Sequence, residues 1–202
     1  MNYGQIKEQF AFVNNNLAVP DDQIPLYIMR GLARIQRDLK LPFMLQVNVT
    51  IAGDDFGYVA KPSDFLRLHE ILVNGLPLSR VGLARFFKLD AGHGIKPEYW
   101  TDLREKILIT PKPAAGSEVV LIYYAAMPAP VLDTDENEIM QLVPDLLIYA
   151  ALVEAATDML ADDAIRQLWE QRYGERANDL QLQADEEAYE GQMTVEAPSC
   201  DY

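Results

Sequence analysis

The chain of 202 residues has one cysteine, Cys200, and only two histidines, His69 and His93. A lone cysteine excludes an internal disulfide and fits a reducing compartment. No pair among these three residues has zinc-ligand spacing, so ordinary structural histidines are expected and no metal site. No run of 18 apolar residues occurs, which excludes a membrane-spanning helix of ordinary length. The opening stretch, MNYGQIKEQFAFVNNN, lacks the basic and apolar regions of a signal peptide. There is no repeat of solenoid period and no low-complexity block. Half of the residues are apolar, which excludes a disordered chain and is enough to bury a core without metals or disulfides.

Basic residues are scarce where acidic ones crowd. Residues 133–202 hold 18 Asp and Glu against Arg166, Arg172 and Arg176, a balance of −15 out of −14 for the whole chain. A phosphate grip needs Lys and Arg, so this third of the chain does not hold nucleic acid by charge. It fits a solvated face or a basic partner.

Catalytic signatures are also absent. There is no G-x-S-x-G, and Ser63, Ser79, Ser117 and Ser199 carry no local nucleophile pattern. Gly92-His93-Gly94 is followed by no P-loop Lys-Ser/Thr. The pairs Asp54-Asp55, Asp162-Asp163 and Glu186-Glu187 sit in expected turns and helices, where acids serve as caps or solvated charges. No catalytic residue, cofactor or metal ligand is assigned. An enzyme, such as a glycan hydrolase or lyase, would need a paired-carboxylate cleft.

Periodicity supplies the architecture. Ile6, Phe10 and Val13 predict a helix over 3–15. Ile24, Tyr27, Ile28, Leu32, Ile35 and Leu39 predict a second, ending before Pro42, with Arg30, Arg34 and Arg37 on the opposite side. Residues 43–52 alternate and predict a strand with one buried face, returning through a turn at 53–55 into a strand at 56–60. Asn74-Gly75 predicts a hairpin between 68–73 and 76–80. A short helix is expected over 81–89. Strands are expected from Tyr99-Trp100, at 106–110 and at 118–126, the last two joined by a Pro/Ala/Gly turn. Of Tyr123-Tyr124, one ring should face the core and the other solvent.

After an acidic turn at 133–138, a third helix is expected from Pro144 to about 161. Leu147, Ala151 and Ala155 lie along one line there, and its small residues would let a neighbouring helix approach closely. A fourth helix, from Asp162-Asp163 to about 189, has Ile165, Leu168, Trp169, Tyr173, Leu180 and Leu182 as apolar contacts. Its apolar stripe thins beyond Gln183, as in an arm reaching a neighbour. Residues 191–202 read as a tail without a core of its own.

The fold class is therefore α+β, a discontinuous helical bundle from 1–41 and 138–190 with an inserted antiparallel β-module at 43–127 and a docking tail at 191–202. This order of elements resembles the head-to-tail adaptor (connector) proteins of tailed bacteriophages, especially the short-tailed type. The carriers are the helix pair before the β-module and Lys61-Pro62-Ser63-Asp64-Phe65-Leu66-Arg67-Leu68 leading into 70–80. With them stand the strand–Pro111-Lys112-Pro113–strand unit ending at Tyr123-Tyr124, the helix Pro144-Asp145-Leu146-Leu147-Ile148-Tyr149-Ala150-Ala151, and Trp169-Glu170-Gln171-Arg172-Tyr173.

The resemblance implies a non-enzymatic virion protein, made in the host cytoplasm and built into the neck. It implies a homo-oligomeric ring, of twelve copies in that family, between the portal protein and a tail nozzle or fibre, with DNA passing through unbound. It implies portal docking by the tail, where Met193, Val195, Pro198 and Tyr202 are the candidates. Leu147, Ala151, Ala155 and Trp169 are the expected helix-packing residues. Asp179, Asp185, Glu186 and Glu187 are the expected channel lining, since like charge keeps a duplex from sticking. The alternative is a soluble acidic interaction protein that binds a basic partner or mimics DNA.

Overall fold

The computed structural model describes residues 1–14, 19–52, 57–90, 96–159 and 161–190; residues 90 and 187–190 are described by backbone alone. The expected turn at 53–55, Phe56, the His93 loop and the tail at 191–202 lie outside the described residues. The chain divides into two units, Met1–Phe43 with Met127–Tyr202, and Met44–Ala126. The second unit is thus an insertion in the first, and the fold is the mixed α+β class that periodicity indicates.

The first unit is helical. Helix α1 (Tyr3–Val13) starts in a capping box, in which Asn2 Oδ1 accepts from the Gln5 amide and Gln5 Oε1 from the Asn2 amide. The backbone of 133–140 receives this end: the Met1 amine donates to Met140 O at 2.9 Å, and the Tyr3 and Gly4 amides donate to Asp135 O and Asp133 O. A short 3₁₀ turn at Asp21–Gln23 leads into α2 (Ile24–Asp38), which buries Ile24, Tyr27, Ile28, Gly31, Leu32 and Ile35. That is the stripe the helical period marks, with Gly31 added.

Helix α5 (Pro144–Asp158) is the centre of this unit. Leu146, Leu147, Ile148, Ala150, Ala151, Leu152, Val153, Ala155 and Ala156 are all buried, so it is apolar almost all round. A helix of that kind needs neighbours on every side, and it has α1, α2, α4 (Glu138–Leu142) and α6 (Asp163–Glu190) against it. The segment expected to be a plain acidic turn is therefore followed by an extra helix, α4. Its cap is Asn137, whose Oδ1 accepts from the Met140 amide at 3.0 Å.

Helix α6 corrects one expectation. Leu168 and Leu182 are 45% and 54% exposed, so they are not core contacts. The buried line is Tyr173, Ala177 and Ala184, flanked by half-buried Trp169, Leu180 and Gln181. Ala184 is 7% exposed, and Gln181 Oε1 accepts from the Lys40 amide at 3.1 Å. The helix thus stays against its own unit through Ala184, because alanine and glutamine supply contacts that an apolar count underweights.

The second unit is a β-sandwich. One sheet has the order β1 (Leu45–Ile51), β8 (Glu118–Ala125), β3 (Phe65–Val73), β4 (Leu76–Pro77). The other has the order β2 (Tyr58–Ala60), β7 (Lys106–Thr110), β6 (Tyr99–Leu103), β5 (Ser79–Arg80). Ile71, Val73, Val119, Leu121 and Tyr123 from the first meet Val59, Ile107 and Ile109 from the second in one core. Asn74 and Gly75 have φ of 50° and 76°, the left-handed pair that a tight two-residue hairpin requires. Beyond it the chain changes sheet: Leu76 and Pro77 pair with β3, whereas Ser79 and Arg80 run parallel to β6.

Two expected pairings do not form. Strand β1 pairs with β8, and β2 with β7, so 43–60 is no hairpin. Likewise β7 and β8 lie in different sheets, and the Pro111-Lys112-Pro113 segment, entered through a cis Thr110–Pro111 bond, carries the chain from one to the other. In both cases the strands were legible and their partners were not, because pairing is decided by which faces close the core.

Candidate functional site

Among the described residues no group of His, Cys, Asp or Glu could hold a metal ion. No helix there is long and apolar enough to cross a membrane. The distinctive features are surfaces and close crossings.

The crossing of α2 and α5 is close. A Cβ placed on Gly31 would lie 2.7 Å from Ala151 N and 3.0 Å from its Cα. Gly31 and Ala151 are therefore a matched pair of small residues, and sequence reasoning found only the second. Leu147, Ala151 and Ala155 have no exposed surface, and Trp169 stacks on Tyr149 with centroids 6.0 Å apart. Charged side chains frame the crossing. Arg34 Nη1 meets Glu154 Oε1 at 2.9 Å, Arg30 pairs with Asp158, and Arg34 lies over the Tyr173 ring at 5.1 Å. The Tyr173 hydroxyl donates to Asp38 Oδ2 at 3.0 Å. Burial first, and then the Asp38 charge, push that phenol well above its ordinary value.

The acidic positions on α6 are solvent-facing. Asp179, Asp185 and Glu186 are exposed, and Asp185 Oδ1 accepts from Gln181 Nε2 at 2.8 Å. The Glu187 side chain, and Met193, Val195, Pro198 and Tyr202, lie outside the described residues.

The β unit shows a surface that the sequence reading missed. Strand β1 was expected to bury one face. Instead Val47, Val49 and Ile51 are 63%, 56% and 61% exposed. They stand opposite Ile122, Val120 and Glu118 of β8, and Ile122 and Val120 in turn stand opposite Glu70 and Leu72 of β3. The outer face of this sheet is thus a continuous apolar field on an edge strand without lysine or proline, the kind of edge that pairs with other chains unless covered. Tyr123 is buried on the core side, its hydroxyl 3.1 Å from Asp64 Oδ1, while Tyr124 is half-buried on the outer face with His69 edge-on to its ring.

A second apolar patch lies on α3 (Leu83–Asp90). Phe86 is buried, but Leu83 and Phe87, one turn apart, are 41% and 57% exposed, and Arg85 and Lys88 of the same helix are exposed too. No curated protein matches the chain. The SU10 adaptor protein family does, over residues 1–196. That match runs through both units and the six helices of the described residues, and on it the chain belongs to the SU10 adaptor protein family.

Proposed function

We propose that this protein is a head-to-tail adaptor of a phage particle: a ring of copies below the portal that joins it to a tail nozzle or fibre and leaves a channel for DNA. The family match over 1–196 is the observation that carries this reading. The role is structural, with no reaction assigned, and the site of action is the virion neck. The tight α2–α5 crossing and the central α5 supply a stiff helical frame for a subunit that bears load. The exposed acids Asp179, Asp185 and Glu186 suit a wall along which a duplex slides without sticking. The segment 191–202, with Met193, Val195, Pro198 and Tyr202, is the docking arm for the portal.

Mass photometry of the full chain with purified portal tests the reading. Ring-sized complexes on the portal are expected. A chain that stays monomeric and indifferent to portal would overturn it, and would favour the acidic interaction protein instead. Deleting 191–202 should abolish portal binding with the circular dichroism melt unchanged. Undiminished binding by the truncated chain would remove the docking arm.

A further inference from the structure

Among the described strands, β1 is the long unguarded edge. It ends the order β1–β8–β3–β4, and its seven residues pair with β8 without a bulge. The opposite edge, β4, is two residues long and ends in Pro77, and β3 beside it is broken by two register shifts. In the second sheet the edges β2 and β5 have three and two residues. Short strands, bulges, proline and charge all blunt an edge. Strand β1, LQVNVTI, has none of these.

One hydrogen bond tells which backbone groups of β1 are open. The Ala52 amide donates to Ser117 O at 2.8 Å, at the end of the ladder. Antiparallel partners alternate between hydrogen-bonded and non-hydrogen-bonded pairs. Counted back along the unbroken register, Thr50, Asn48 and Gln46 are the residues bonded to β8. Leu45, Val47, Val49 and Ile51 therefore turn their N–H and C=O groups away from β8, towards the open edge.

The strand also has the same polarity pattern in both directions. About Asn48, Val47 answers Val49, Gln46 answers Thr50, and Leu45 answers Ile51. We propose that two copies of the chain join along β1, as antiparallel strands related by a two-fold axis at Asn48. In that register Leu45 faces Ile51 of the second copy and Val47 faces Val49, apolar against apolar. Gln46 faces Thr50, polar against polar. The facing pairs 45–51 and 47–49 are the residues with outward backbone groups, so each pair can exchange two N–H···O bonds. Asn48 meets itself at the axis, where two side-chain amides can donate to each other. No charge opposes a like charge. A second copy thus satisfies every position of β1, which is the reason to name it as the occupant.

A two-fold contact uses the same patch on both copies and closes at two. The blunted far edge stops further growth. The inference therefore concerns the chain before it meets the portal, and it does not rest on the ring reading. Seven residues per copy fall short of the roughly 800 Å² per partner of a standard interface, so the dimer should form and dissociate with concentration.

Cysteine at the axis tests it. Asn48→Cys and Gln46→Cys are made separately in the full chain with Cys200→Ser, and each is oxidised without portal. Both side chains are exposed, so the melt should be unchanged. The pair at the axis brings its Cα atoms to about 4.5 Å, within disulfide range. Gln46 and its copy are four residues out of step, about 13 Å apart. Covalent dimers from Asn48→Cys alone are the expected result. Equal dimers from both overturn the register, and none from Asn48→Cys overturns the contact. Sedimentation of the parent chain at up to about 1 mM should show monomer and dimer in exchange; a monomer throughout overturns the contact as well. Val49→Pro removes an outward N–H, which an edge strand tolerates. It should weaken the dimer about tenfold to a hundredfold, the worth of the two bonds lost per dimer, with the melt retained. Finally, chains with both Val47 and Val49 changed to Lys, or both to Glu, should each be monomeric, and their mixture should dimerise. A mixture that stays monomeric overturns the pairing.

Discussion

The helical unit and the β unit divide the molecule's physics between them. The helical unit holds 22 carboxylates against eight Lys and Arg, whereas the β unit holds nine of each. The helical unit keeps its large apolar residues mainly on α2 and α5, around a helix that is covered on every side. The β unit leaves Val47, Val49, Ile51, Leu83 and Phe87 in solvent. The helical unit also leaves Phe12, Val131 and Leu132 in solvent, so the two units differ in charge rather than in exposed apolar surface: one is strongly acidic and the other is balanced. Charge alone therefore sets copies of the first against each other more strongly than copies of the second. In the proposed ring around DNA, that division would keep like charge concentrated in one unit.

The comparison can be broken unit by unit, because each carries one tryptophan: Trp169 in the helical unit and Trp100 in the β unit. Single-tryptophan variants then report each unit's unfolding separately. The largest expected effect is Leu147→Asp, which buries a carboxylate in the packed face of α5 and should cost more than about 4 kcal/mol. The Trp169 signal should lose its cooperative melt. A melt unchanged by the substitution would show that this face is not the buried one.

Gly31→Ala comes next. The new methyl meets Ala151 backbone at 2.7 Å, so the helices must part. After subtracting about 1 kcal/mol of gained helix propensity from an overpacking cost of about 1–3 kcal/mol, a net loss of up to about 2 kcal/mol is expected in urea titration. A stabilised variant would mean that the crossing is looser than the geometry indicates.

In the β unit the same substitution at two valines should diverge. Val119→Thr buries a hydroxyl in the core and should cost about 1–3 kcal/mol by the Trp100 signal. Val49→Thr on the outer face should stay within about 0.5 kcal/mol. Equal losses would mean that the outer face is covered within the monomer.

The smallest effect concerns pH. The Tyr173 phenol is held above its unfolded value near 10. Its contribution is fully present below pH 10 and is lost as pH rises beyond that, since the unfolded chain ionises first. Tyr173→Phe should lose about 1 kcal/mol at neutral pH with the Asp38 bond, and should show a shallower loss of stability above pH 10 than the parent chain. Identical slopes would place the phenol in solvent.

Much of this was legible from period alone. The α2 stripe was read correctly because a helix of 15 residues offers several turns of evidence. The alternation of β1 was also read correctly as a strand, yet its face was misassigned. Alternation says which side chains share a face; whether that face is covered depends on strands far away in sequence. The partners of β2 and β7 were missed for the same reason. Gly31 was overlooked because its backbone is ordinary helix, and only the proximity of Ala151 gives it meaning. Helix α4 was missed because it is one turn long, although Asn137 before Glu138-Ile139-Met140 is a capping signal that could have found it. The family was legible in the order of elements, since order survives where individual contacts cannot be read.

The insertion of the β unit has a further consequence. Leu45, just after the chain enters it, stands opposite Tyr124, just before the chain leaves. Entry and exit are thus separated by no more than neighbouring strands, about 5 Å. For the helical frame, the whole of 44–126 is a single closed detour, and a bridge of a few residues could span the gap at little entropic cost. Such a joint is a natural site of exchange between lineages. Recombination could replace the inserted unit as one block while the frame around it is inherited unchanged.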